Sequence, residues 1–156
     1  MNTPETKDPS EGVEPLGPEA SAFTERELEG ERVAAQLDGD PVDPYGRALL
    51  YLWTDAPKGP ALFNERLVRS GFAQVEYYFD PNDRYLDRVE AAQREARASG
   101  CGIWGLSRPE QCELADRGNG IGEGTPGCGG EPGREGASER EPSPGAPPPP
   151  AGGDYD

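Results

Sequence analysis

The chain has 156 residues, about one domain's worth, with 30 acidic against 15 basic residues and a formal net charge of −15; 22 residues are Gly and 18 are Pro. It contains no histidine, which excludes Ser-His-Asp and Cys-His catalysis, His-ligated zinc and imidazole acid–base chemistry. The acid excess excludes a broad basic footprint on duplex nucleic acid, yet leaves room for a small basic site within an acidic shell.

Residues 1–16 are polar and turn-rich and read as a loop. Gly17-Pro18-Glu19 predicts a helix start, because Pro suits the first turn and Glu19 the positive end of the dipole; the helix runs to about Leu28 and stops at Gly30. Arg32 to Asp38 alternates, which predicts a half-buried strand with Val33, Ala35 and Leu37 inward. Gly39-Asp40-Pro41 is a turn, and Arg47 to Thr54 reads as a central strand, apolar on both faces. Asn64 is expected to cap a short helix carrying Leu67 and Val68 and ending at Gly71. Phe72 to Tyr78 reads as a further strand. Asn82 then caps a long helix over Asp83 to Ser99, with Tyr85, Leu86, Val89, Ala92 and Ala96 on one face and Gly100 closing it. The order of elements predicts an α+β fold with few strands. Residues 117–156 hold 12 Gly and 8 Pro, a composition that cannot build a core and reads as disordered. No apolar run is long enough to span a bilayer and no signal peptide precedes the domain, so no membrane association is expected.

Three segments carry chemistry. Asn2-Thr3-Pro4-Glu5-Thr6 is a stiffened loop with oxygen ligands and a carboxylate, suited to a hard cation such as calcium; taken alone it also reads as a polar arm. In Asp43-Pro44-Tyr45-Gly46-Arg47, a tight turn places an Arg fork whose geometry matches phosphate oxygens; alone it also reads as a turn with a surface salt bridge. Tyr77-Tyr78-Phe79-Asp80-Pro81-Asn82 puts adjacent aromatics at a strand end, where they stack on a base or simply fill an edge.

With Gly17-Pro18-Glu19-Ala20-Ser21-Ala22-Phe23-Thr24, Asn64 through Ala73 and Gly102-Ile103-Trp104, these segments fall in an order that resembles the staphylococcal nuclease (thermonuclease-like) family over residues 2 to about 105. The resemblance implies a five-stranded oligonucleotide-binding (OB-fold) barrel with three helices, here incomplete because its first strands are missing. The thermonuclease-like domain is expected over 1–106 and a low-complexity tail over 107–156. The resemblance also implies calcium-dependent hydrolysis of phosphodiester bonds in DNA or RNA. Glu5 takes the position of the general base and Arg47 that of the arginine stabilising phosphate charge. Asn2 and Thr3 fall at metal-ligand positions, Tyr45 at a phosphate-bonding position and Tyr77 in the base pocket. A monomer without an obligate protein partner is expected.

The chain departs from the family pattern in several places. The expected strands before Asn2, with a second metal-binding aspartate and a second phosphate-binding arginine, are absent from the sequence. This suggests a truncated or mis-started form, for example a GTG codon read as the initiator. Asn2 replaces an aspartate, Phe79 a tyrosine and Pro44 a residue that is often basic. Cys101 is expected as a buried free thiol, and Cys112 and Cys128 as a candidate disulfide if the protein is exported. Export is expected only of a longer form, and the sequence fixes no compartment. Two further functions compete with an active nuclease: a nuclease-like binding module without catalysis, and an inactive fragment.

Overall fold

The computed structural model of the chain describes residues 1–7, 12–76 and 83–116. Helix α1 spans Gly17–Leu28, with Pro18 in its first turn and Glu19 beside its N-terminus. Its buried side, including Ala20 and Phe23, faces the main core. Three short strands follow: β1 Val33–Gln36, β2 Tyr51–Thr54 and β3 Ala61–Leu62. They form an antiparallel sheet in the order β1-β2-β3, so β2 is central as the sequence suggests. Helix α2, Phe63–Arg69, continues directly from β3, and helix α3, Leu86–Ser99, packs against α2. A 3-10 turn at Gly102–Gly105 and helix α4, Arg108–Asp116, complete the described elements. The class is α+β with an open three-stranded sheet.

The main core joins Phe23 of α1, Phe63, Leu67 and Val68 of α2, Ala73 and Val75 of the segment after α2, and Ala92 of α3. A second cluster sits on the sheet. There Tyr85 meets Tyr51 and Trp53 edge-on, with ring centroids 4.8 and 5.4 Å apart, the geometry favoured by the ring quadrupoles. Outside these cores, arginines pair with carboxylates. Arg69 joins Glu65 and Glu95 at 2.7 and 2.8 Å, Arg88 joins Glu65, and Arg66 joins Glu27. Much of the basic charge is therefore neutralised locally, in keeping with an acidic shell.

Five expectations need correction. Val33, Ala35 and Leu37 do not face inward: Val33 is 36% and Leu37 55% exposed, and it is Gln36 and Asp38 that are half-buried. Alternation locates a strand but not which parity meets the core. Here the inward parity is polar because the Gln36 amide oxygen accepts bonds from Trp53 Nε1 (3.0 Å) and the Tyr85 hydroxyl (2.9 Å).

Asn64 is not a helix cap. It lies within α2, where its Oδ1 accepts the Leu52 N–H at 2.9 Å and its Nδ2 donates to the Leu50 carbonyl at 3.1 Å. The side chain thus pairs like a strand with the backbone of β2.

The expected strand from Phe72 is reduced, among its described residues, to one bridge between Gln74 and Asn2. The Val75 N–H turns instead to Gln93 Oε1 of α3 at 2.8 Å.

Residues 108–116, expected as the start of a tail, are helical. Ser107 caps α4: its hydroxyl donates to Glu110 Oε2 at 2.6 Å, and its N–H donates to the same oxygen at 2.9 Å. This is half of a capping box, and these bonds hold the Glu110 carboxyl below its usual pKa. Leu114 anchors the helix at 0% exposure against Ile103, with Leu16, Trp104 and Leu106 packed around them.

Cys101 is free but only half-buried, with its Sγ 3.2 Å from Ser99 Oγ. Cys112 is disulfide-bonded. The expectations for Tyr77 to Asn82, for Cys128 and for the tail at 117–156 lie outside the described residues.

Candidate active site

The turn at residues 43–47 is assembled around one carboxylate. Pro44 and Tyr45 occupy its centre, and the Gly46 N–H closes it on the Asp43 carbonyl at 3.0 Å. Pro44 presets the backbone dihedral at the second position. Gly46 takes a φ of 78°, a left-handed conformation that costs glycine little. The Asp43 N–H then donates to the Arg47 carbonyl at 2.9 Å. The Asp43 side chain, 2% exposed, accepts the Tyr45 N–H (2.9 Å) and Arg47 N–H (2.8 Å) at Oδ1 and the Arg47 Nε at Oδ2 (2.5 Å). Burial pushes the Asp43 pKa up. The hydrogen bonds from Arg47 and Tyr45 and the guanidinium charge outweigh it and hold the carboxyl below its usual value.

Arg47 is thereby oriented by its Nε while its side chain stays 71% exposed. A guanidinium held at Nε keeps its two amino groups for a bidentate grip on an anion such as phosphate. Its pKa is raised by the hydrogen bond to Asp43 first and by the Asp43 charge next, with smaller contributions from Tyr45 and Glu5. Tyr45 is 84% exposed, and its ring centroid lies 5.3 Å from the Arg47 guanidinium carbon.

The Glu5 charge is the smallest of the influences that raise the Arg47 pKa, which relates the two sequence-predicted catalytic positions only weakly across a large separation in the chain. Glu5 itself is exposed, whereas the neighbouring Pro4 is buried. The loop is held from both sides. Asn2 exchanges backbone bonds with Gln74, N–H to carbonyl at 2.9 Å and carbonyl to N–H at 2.8 Å. Glu5 exchanges bonds with Glu14: its N–H donates to Glu14 Oε2 at 2.7 Å, and its carbonyl accepts the Glu14 N–H at 2.9 Å. Gly17 passes so close that an added Cβ would stand 2.5 Å from the Glu5 carbonyl oxygen. Asn2 Oδ1 accepts the Thr3 N–H at 3.0 Å.

Among the described residues, no group of three His, Cys, Asp or Glu side chains is placed to hold a metal ion. The loop nonetheless supplies hard oxygen donors of the kinds calcium takes: one carboxylate, an amide oxygen and a backbone carbonyl. Residues 1–105 match the family model described as staphylococcal nuclease homologue.

The chain belongs to the staphylococcal nuclease family.

Among relatives of this staphylococcal nuclease homologue, the thermonuclease of Staphylococcus intermedius is 40% identical over 104 residues. That match covers 67% of this chain and 59% of the relative. The thermonuclease of Staphylococcus hyicus is similar to the same extent. Endonuclease YncB of Bacillus subtilis (strain 168) is 33% identical over 108 residues, 69% of this chain and 49% of that protein. The chain therefore spans at most about three-fifths of the length of these curated relatives. The family match ends before α4.

Of the sequence-predicted residues, Arg47 and Tyr45 lie together on the turn, Asn2, Thr3 and Glu5 lie on one loop, and Tyr77 lies outside the described residues. Sequence reasoning named Asp43 only as part of its motif and gave Glu14 no role. An Asp two residues before a turn Tyr and four before an Arg is a readable signal for the first, since Asx turns have that spacing. Glu14 has no local signal, because its partner lies nine residues away across a loop.

Proposed function

We propose that this chain is a calcium-dependent nuclease domain that hydrolyses phosphodiester bonds in DNA or RNA. The observation that carries the reading is the Arg47 guanidinium, held by its Nε on the buried Asp43 carboxylate while its side chain stays 71% exposed. The relatives printed as thermonucleases and an endonuclease support the same reaction class.

Glu5 takes a proton from the attacking water. A carboxylate is a weak base, so its placement does much of the work. Arg47 offers its amino groups to the phosphate oxygens, where negative charge grows as the nucleophile adds; a charge fixed before the reaction stabilises that state without reorganisation. Tyr45 binds a phosphate oxygen through its hydroxyl, and the family resemblance gives Tyr77, which lies outside the described residues, the role of contacting the base. Asn2 and the Thr3 carbonyl are the residues that would hold calcium. When bound, the ion supplies charge neutralisation at a phosphate oxygen. An amide in place of a carboxylate at residue 2 leaves the loop less negative and its hold on the ion weaker.

The test is cleavage of single-stranded and duplex DNA by the chain, with calcium and with a chelator. Glu5→Gln and Arg47→Lys are each expected to lower the rate by about 10²-fold or more. Equal rates with calcium and chelator would overturn the calcium dependence. Unchanged rates in both variants would overturn the assignment of base and phosphate-binding arginine. Tight binding of DNA without cleavage would turn the reading to a binding module.

A further inference from the structure

We infer that Glu14 is a positioning residue: its buried carboxylate fixes the main chain of Glu5 and so sets where the base stands over the phosphate. This rests on the reading of Glu5 as the general base. Glu14 is 1% exposed, yet its side chain is spent on a backbone group of another segment. The Glu5 N–H enters Oε2 at 2.7 Å while the Glu14 N–H returns a bond to the Glu5 carbonyl at 2.9 Å. Two bonds between the same two residues restrict both sliding and rotation of the Glu5 peptide.

The support continues behind Glu14. Its carbonyl accepts the Gly17 N–H at 3.0 Å, and Leu16 adopts φ 65°, rare for a branched residue, to turn the chain into α1. That turn lets Gly17 press on the Glu5 carbonyl from the other side. Leu16 packs in turn against the cluster formed by Ile103 and Leu114 of α4. The exposed Glu5 side chain is thus carried on a peptide clamped by buried groups, the arrangement that a catalytic group on a loop needs.

The experiment uses the full chain and two readouts, amide exchange at the Glu5 N–H by NMR and steady-state cleavage of DNA with calcium. Glu14→Ala should speed exchange at Glu5 by about tenfold or more while leaving the Arg47 amide unchanged. It should lower kcat by about tenfold with little change in KM, because the base is displaced but the phosphate grip is kept. Glu14→Gln keeps an acceptor of the same length and should restore both values to near wild type. Glu14→Asp, which retracts the acceptor by one methylene, should fall between them and serves if the alanine variant does not fold. In a Glu5→Gln background, Glu14→Ala should cost nothing further. Unchanged exchange at Glu5 in Glu14→Ala and Glu14→Asp would overturn the proposal, as would an equal loss of rate with and without Glu5. If Glu5→Gln alone cleaves at the full rate, the reading of Glu5 as base fails, and the exchange measurement still decides whether Glu14 fixes the loop.

Discussion

The turn at residues 43–47 and the loop at residues 2–5, the two halves of the proposed site, are held in opposite ways. The turn is self-contained. Its donors and acceptors lie within five consecutive residues, all organised by the Asp43 carboxylate. Among the described residues, the loop is held by a bond from the Thr3 N–H to Asn2 and by Gln74, Glu14 and Gly17 from other segments. A local device stays formed when distant parts of the molecule loosen. A loop held by long-range contacts inherits every disturbance in its supports. On the proposed reading, the guanidinium that would grip the substrate therefore sits on the sturdier half of the site, and the carboxylate to be aimed sits on the more dependent one.

Four measurements break or sharpen that contrast, the largest effect first. Gly17→Ala forces a Cβ against the Glu5 backbone, and overpacking of this kind costs about 2–3 kcal/mol. Thermal unfolding should show the loss, and the amide signals of residues 43–47 in the folded fraction should stay in place. Asp43→Ala attacks the other half. It frees the Arg47 guanidinium, and a drop of about tenfold in cleavage rate is expected with the Glu5 amide unmoved. An unaffected rate would mean that Arg47 needs no anchor. Asn2→Asp adds a second carboxylate to the loop and should tighten calcium binding by roughly several-fold in a calorimetric titration. Unaltered affinity would remove residue 2 from the ligand set. The smallest effect is in acid. The Asp43 pKa is lowered on folding, so its contribution to stability is complete above its ordinary value of 3.8 and is lost as pH falls through the lower folded value. Unfolding midpoints measured below pH 3.8 should show that loss in the wild type and not in Asp43→Asn.

The same division explains what could be read before the fold was known. Pro18 and Gly30 bound α1, and Gly100 bounds α3, because caps and breakers act on their immediate neighbours. The Asp-Pro-Tyr-Gly-Arg run announced a tight turn for the same reason. The inward parity of β1 was not legible, since it depends on Trp53 and Tyr85 reaching Gln36 from β2 and the start of α3. Asn64 looked like a cap because Asn commonly is one; only the approach of β2 gives its amide a better use. Helix α4 was legible in part. Ser107-Arg108-Pro109-Glu110 is a capping-box sequence with a proline in the first turn, but its single buried anchor, Leu114, is too little to signal an amphipathic helix. The candidate site followed the same pattern: Arg47 and Tyr45 came with their turn, and the support of Glu5 by Glu14 did not.

Helix α4 has a consequence for where this protein can be cut. The family-model match ends at residue 105, yet Leu114 is fully enclosed against Ile103 and Leu16. Removing everything after the family boundary would uncover apolar surface worth about 1.5–3 kcal/mol, the usual value of one buried leucine. It would do so directly behind the bend that leads to Glu14. The stretch that the family model matches and the stretch that packs together are thus of different lengths, and the second is the longer.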